Sequence, residues 1–88
     1  MARVTIELYG IPRLRAGVAS VTVRAASVRE ALVALGQQHP CLEGSIVCQG
    51  LPVPAYRVAL NGDLAPLPNA QTLRDGDVLL LLATDAGG

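Results

Sequence analysis

Residues 72–83 read Thr72-Leu73-Arg74-Asp75-Gly76-Asp77-Val78-Leu79-Leu80-Leu81-Leu82-Ala83, and Thr84-Asp85-Ala86-Gly87-Gly88 follows. The Asp75-Gly76-Asp77 triplet carries the residues that favour a tight turn. Six residues of nearly continuous apolar character then make a strand apolar on both faces, of the kind found at the centre of a sheet. Val78, Leu80 and Leu82 point to one side of that strand, and Leu79, Leu81 and Ala83 to the other. A Gly-Gly end has no side chains to pack, so it either frays or enters something narrow.

Working outward, the rest of the chain supplies a sheet for this strand. In residues 3–9, Val4, Ile6 and Leu8 alternate with Thr5, Glu7 and Tyr9, a half-buried strand. Gly10, Pro12 and Gly17 punctuate a loop, and residues 18–25 alternate again with Val21, Val23 and Ala25 on one side. The spacing predicts an antiparallel hairpin with a loose loop. Ser27-Val28-Arg29-Glu30 is a capping box, and Val28, Ala31, Leu32 and Leu35 form the stripe of an amphipathic helix stopped by Pro40. Residues 41–55 hold Gly44, Gly50, Pro52 and Pro54 and predict an irregular crossing with one turn of helix. Tyr56–Leu60 is a third main strand with Val58 and Leu60 inward. It ends at Asn61-Gly62, a strong hairpin signal. A minor edge strand around Leu64-Ala65 follows, kept short by Pro66 and Pro68.

This order, with one main helix, predicts an α+β fold with a mixed four- to five-stranded sheet. The first and last strands pair in parallel at its centre. One helix of roughly a dozen residues, about 18 Å long, covers a single sheet face. One apolar set of the last strand therefore lies away from the helix, as a partner surface or under a loop. The alternation leaves open which set that is. We take Leu79, Leu81 and Ala83, with Asp85 and Ala86 beyond them, as the partner-binding residues.

Composition narrows the function. Hydrophobic residues make up 51% and charged residues 16%, which is a globular and not a disordered composition. There is no Trp or Phe, so the core must be aliphatic. Seven arginines balance seven acidic residues, so no electrostatic footprint for nucleic acid or anionic membrane arises. All seven cations are arginine, which leaves no lysine as an isopeptide acceptor. The opening Met1-Ala2-Arg3 runs straight into a strand pattern, and no apolar run spans a bilayer. The expectation is a single cytoplasmic domain over 1–88, with 84–88 as a flexible tail. Cys41, Cys48 and the lone His39 have no metal-ligand spacing, and no catalytic constellation appears, so the chain is not expected to be an enzyme by itself.

The closing stretch, Thr72 to Val78, the apolar strand and Gly87-Gly88, resembles the signature of ubiquitin-like sulfur carriers. This is the β-grasp family that includes the small subunit of molybdopterin synthase and the thiamine sulfur carrier. Leu60-Asn61-Gly62 fits as well. So does Leu8-Tyr9-Gly10 with Arg13-Leu14-Arg15-Ala16-Gly17 after it, which is nearer the molybdopterin branch. The resemblance covers the whole chain. It departs at Ala83-Thr84-Asp85-Ala86, where many molybdopterin-branch members have prolines, and at residues 41–55.

The resemblance implies a β-grasp fold and a carrier role for Gly88, with Gly87 giving the tail access. A partner activating enzyme, using ATP, adenylates the terminal carboxylate. A sulfur donor then displaces AMP to leave a thiocarboxylate. An acceptor enzyme, such as the large subunit of molybdopterin synthase, takes the sulfur. No cofactor and no metal is expected on the chain itself. Molybdopterin is the first pathway implied. Thiamine, cysteine, tRNA thiolation, a specialised metabolite and protein modification are the alternatives. A β-grasp interaction domain with an incidental Gly-Gly is a third class.

Overall fold

In the computed structural model, described for residues 1–64 and 72–83, the alternating stretches become the strands expected of them. Strand β1 is Ala2–Leu8, β2 is Ser20–Ala25, β5 is Tyr56–Leu60, β6 is Asp63–Leu64 and β7 is Val78–Ala83. They form one five-stranded sheet in the order β2-β1-β7-β5-β6. The β1–β7 pair is parallel, with Leu8 opposite Leu81, and the other pairs are antiparallel. The most apolar strand is thus the central one.

The main helix α2, Val28–Gln38, lies across one face. Its Val28, Ala31, Leu32 and Leu35 are solvent-free and meet Val4, Ile6 and Leu8 of β1, Val21 and Val23 of β2, and Leu79 and Leu81 of β7 in one aliphatic core. Ser27 Oγ accepts a hydrogen bond from the Glu30 amide at 3.2 Å. The reciprocal arm reaches one residue further back than the sequence suggests: the Ala26 amide donates to Glu30 Oε1 at 3.0 Å. The helix start is capped in both directions all the same.

Two segments differ from expectation. The β1–β2 connection is not a loose loop but a short helix α1, Ile11–Ala16, with Pro12 in its first turn and Gly17 in the left-handed region at its C-terminus. Proline pre-sets the helical φ and gives up an amide that a first turn leaves unpaired anyway. Buried Pro12 anchors the helix. In the crossing, the expected helical turn is a 3₁₀ turn, Pro40–Leu42. Beyond it lies an unexpected two-stranded ribbon, β3 (Val47–Cys48) with β4 (Leu51–Pro52). Leu42, Ile46 and Val47 close the bottom of the core. The Asn61-Gly62 hairpin has both residues at positive φ, 51° and 94°, as a type I′ turn requires.

Candidate docking face and tail exit

Strand β7 is locked at its start by backbone and side-chain bonds to two neighbours. The Arg3 amide donates to Asp75 Oδ1 at 2.7 Å, the Gly76 amide to Arg3 O at 2.9 Å, and the Thr5 amide to Asp77 O at 3.0 Å. Asp77 accepts from the Arg74 amide at 2.8 Å and from Asn61 Nδ2 at 3.0 Å. Asn61 Oδ1 in turn accepts from the Val78 amide at 2.9 Å. The Arg74 and Asn61 bonds hold the Asp77 carboxyl below its usual pKa, because they favour the charged form. Asp75 and Asp77 are thus turn residues, as their flanking of Gly76 suggested, and not an acid–base pair.

The turn, the register and the helix together decide which face of β7 lies away from α2. Leu79 and Leu81 are 0% and 1% exposed, beneath α2. The expectation that these two bind a partner is therefore corrected: they are core. The physical reason is register, since Ile6 and Leu8 of β1 face the helix and stand opposite Leu79 and Leu81. Ala83, at the strand end, is exposed. Asp85, Ala86, Gly87 and Gly88 lie outside the described residues.

The face away from the helix carries Val78, Leu80 and Leu82, all half-buried. Leu80 stands between Glu7 of β1 and Ala59 of β5, and Leu82 stands beside Arg57. Ala59 is 2% exposed yet belongs to no part of the core under the helix. An apolar strip thus runs along β7 toward the tail, with a carboxylate on one side and a guanidinium on the other. Beyond Glu7, the Tyr9 hydroxyl donates to Glu7 Oε1 at 2.7 Å. That bond raises the phenol's pKa, with the Arg13 charge opposing it. Leu80, Leu82, Arg57 and Glu7 were missed as a set by sequence reasoning. The pairing of β1 with β7 was the signal that identifies them, once its register is known.

No group of three or more His, Cys, Asp or Glu residues able to hold a metal ion occurs among the described residues. Cys41 and Cys48 are free and exposed, and Cys41 Sγ donates to Arg15 O at 3.2 Å. No helix among the described residues is long and apolar enough to cross a membrane.

Five strands around one crossing helix, with a parallel central pair, define a β-grasp protein of ubiquitin-like type. Comparison with solved structures agrees. The chain is similar to SAMP1 from Haloferax volcanii at 30% identity and a TM-score of 0.83, covering 99% of this chain and 100% of that one. It is similar to a chain of the Amycolatopsis orientalis BexX/CysO complex at 26% identity and a TM-score of 0.79, covering 97% and 99%. In fold it also matches a chain of the complex of subunits 1 and 2 of the Helicobacter pylori molybdopterin-converting factor, at 24% identity, a TM-score of 0.66, and coverage of 98% and 99%. No protein-family model matches the sequence, and no curated protein sequence matches it. The chain belongs to the ubiquitin-like sulfur-carrier family, whose members here are small carrier or modifier proteins and subunits of complexes.

Proposed function

We propose that the chain is a sulfur carrier in which Gly88 is the reactive residue. A partner enzyme uses ATP to convert the Gly88 carboxylate to an acyl-adenylate with release of pyrophosphate. A sulfide-level donor, hydrosulfide in its simplest form, attacks the carbonyl carbon, the bond to AMP breaks, and a thiocarboxylate remains. A carboxylate is a poor electrophile, and adenylation supplies the leaving group it lacks. Gly87 keeps the approach to the carbonyl free of side chains. Residues 84–88 reach about 17 Å when extended, enough to enter an enclosed site.

The observation that supports this reading is the placement of β7. Its start is locked to β1 and to the β5–β6 turn. Its outer side is an apolar strip bounded by Glu7 and Arg57. In the sequence Gly87 and Gly88 follow its last residue after Thr84-Asp85-Ala86. The strip, with Ala83, Asp85 and Ala86 beyond it, is the proposed partner contact. Among acceptors we favour the molybdopterin pathway, on the Leu8-Tyr9-Gly10 opening. The test is mass spectrometry of the protein isolated from its own cell, where exchange of a terminal oxygen for sulfur is expected and deletion of Gly88 abolishes it.

A second reading, protein modification through Gly88, draws on the likeness to SAMP1, described elsewhere as small archaeal modifier protein 1. Gly-Gly remnants on lysines of other proteins, without the sulfur-exchanged species, would favour it. Lacking lysine, the chain would receive no side-chain isopeptide bond of its own kind.

A further inference from the structure

Helix α1 leaves an unpartnered surface at the end of the sheet where β7 finishes. Leu8 and Leu81 stand opposite each other in the parallel β1–β7 pair. Residue 11 opens α1 three positions beyond Leu8, and residue 84 opens the tail three positions beyond Leu81. Both segments therefore leave the sheet at one end.

On α1, Leu14 is 81% exposed and Ile11 is 54% exposed, with Val18 at 39% just after the helix. Positions 11 and 14 are one turn apart on the helix and share a side. Arg13, Leu14 and Val18 line a shallow groove of about 280 Å³. Arg13 and Arg15 flank Leu14, and neither guanidinium pairs with a carboxylate among the described residues. Between Glu7 and Glu30 the chain holds no acidic residue, so this corner is basic in a chain of zero net charge.

We propose that α1 is a second docking element for the enzyme that processes the tail, and that it receives an apolar side chain flanked by carboxylates. The groove between Leu14 and Val18 takes the apolar group, and Arg13 and Arg15 take the carboxylates in forked pairs. This rests on the carrier reading of Gly88. Engaging α1 together with the β7 strip holds this end of the sheet at two places, which orients the tail toward the enzyme's site. A single contact would leave rotation about it free.

The test uses the whole chain and the adenylating enzyme of the same organism. Binding is measured by calorimetry and adenylation by pyrophosphate release for wild type, L14D, R13E/R15E and, as a charge control on α2, R29E. L14D and R13E/R15E are expected to weaken binding at least about tenfold, with R29E near wild type and the salt dependence of binding reduced in R13E/R15E. Adenylation at saturating carrier should be preserved, so the loss appears in KM and not in kcat. Thermal unfolding should be unchanged in all three, and R13E/R15E alone decides if L14D unfolds. Wild-type adenylation with R13E/R15E binding as wild type overturns the α1 proposal alone. A wild-type chain that the enzyme neither binds nor adenylates overturns the carrier reading and α1 with it.

Discussion

Adjacent residues on opposite faces of β7 give the most direct check of how this fold presents its tail. Leu79→Asp and Leu80→Asp make the same chemical change one position apart. Leu79 is completely buried under α2, so the substitution forfeits about 2–3 kcal/mol of apolar burial and places a carboxyl where no donor waits. Together these exceed about 4–5 kcal/mol, against a total stability of about 4–13 kcal/mol for a domain of this length. Leu80 is half-buried, so about 1 kcal/mol of burial is lost. The poor strand propensity of Asp and its position opposite Glu7 add about 1–2 kcal/mol more. Thermal unfolding followed by circular dichroism should show L79D unfolded or nearly so, and L80D folded with a lowered midpoint. Leu79→Ala is the milder companion, expected to cost about 3 kcal/mol and to lower Tm by roughly 12–24 °C. L80D should then bind the adenylating enzyme at least about tenfold more weakly than wild type. A folded L79D would refute the assignment of faces. A folded L80D that binds as wild type would refute the docking strip.

Three further outcomes follow from the framework around β7. Ser27→Ala removes the helix cap and should destabilise the domain by about 1 kcal/mol in chemical denaturation, with Glu30 unable to replace it. Gly50→Ala should cost about 2–4 kcal/mol, because φ is 82° and the new Cβ would lie 3.0 Å from Arg29 O; Gly62→Ala, at φ 94° in open space, should cost only about 1–2 kcal/mol. Asp77 is held below the ordinary value of 3.8, so its contribution to stability is full above that pH and is lost as pH falls through the folded pKa. Acid titration of wild type against Asp77→Asn should therefore show the two stability curves converging below pH 3.8, and parallel curves would refute the latch.

Much of this architecture could be read without coordinates, because its signals are local. Ser27 and Glu30 mark a helix start, Asn61-Gly62 marks a hairpin, and Val4, Ile6 and Leu8 mark a strand with one buried side. The face of β7 that lies away from the helix could not be read, and the cause is physical. Alternation identifies a face only when the two sides differ, and Leu79–Leu82 make them alike. The choice between Leu79/Leu81 and Leu80/Leu82 depends on register against β1, a tertiary quantity. Helix α1 was missed because Gly10, Pro12 and Gly17 read as loop punctuation. They bracket and start a helix only two turns long, too short for periodicity to declare itself. The β3–β4 ribbon has two residues per strand and no alternation to detect. At the site, the turn role of Asp75 and Asp77 was legible, while Gly87 and Gly88 rest on their place in the sequence.

The position of β7 also bears on how the protein is made. Of the described elements it is synthesised last, yet it sits between β1 and β5 and supplies two fully buried leucines. A nascent chain that has not reached residue 83 has a gap in the middle of its sheet, and β1 waits nearly the whole length of translation for its parallel partner. A product that stops before residue 78 would lack the central strand as well as the glycines. Such fragments should be cleared by proteases and not accumulate as folded competitors for a partner.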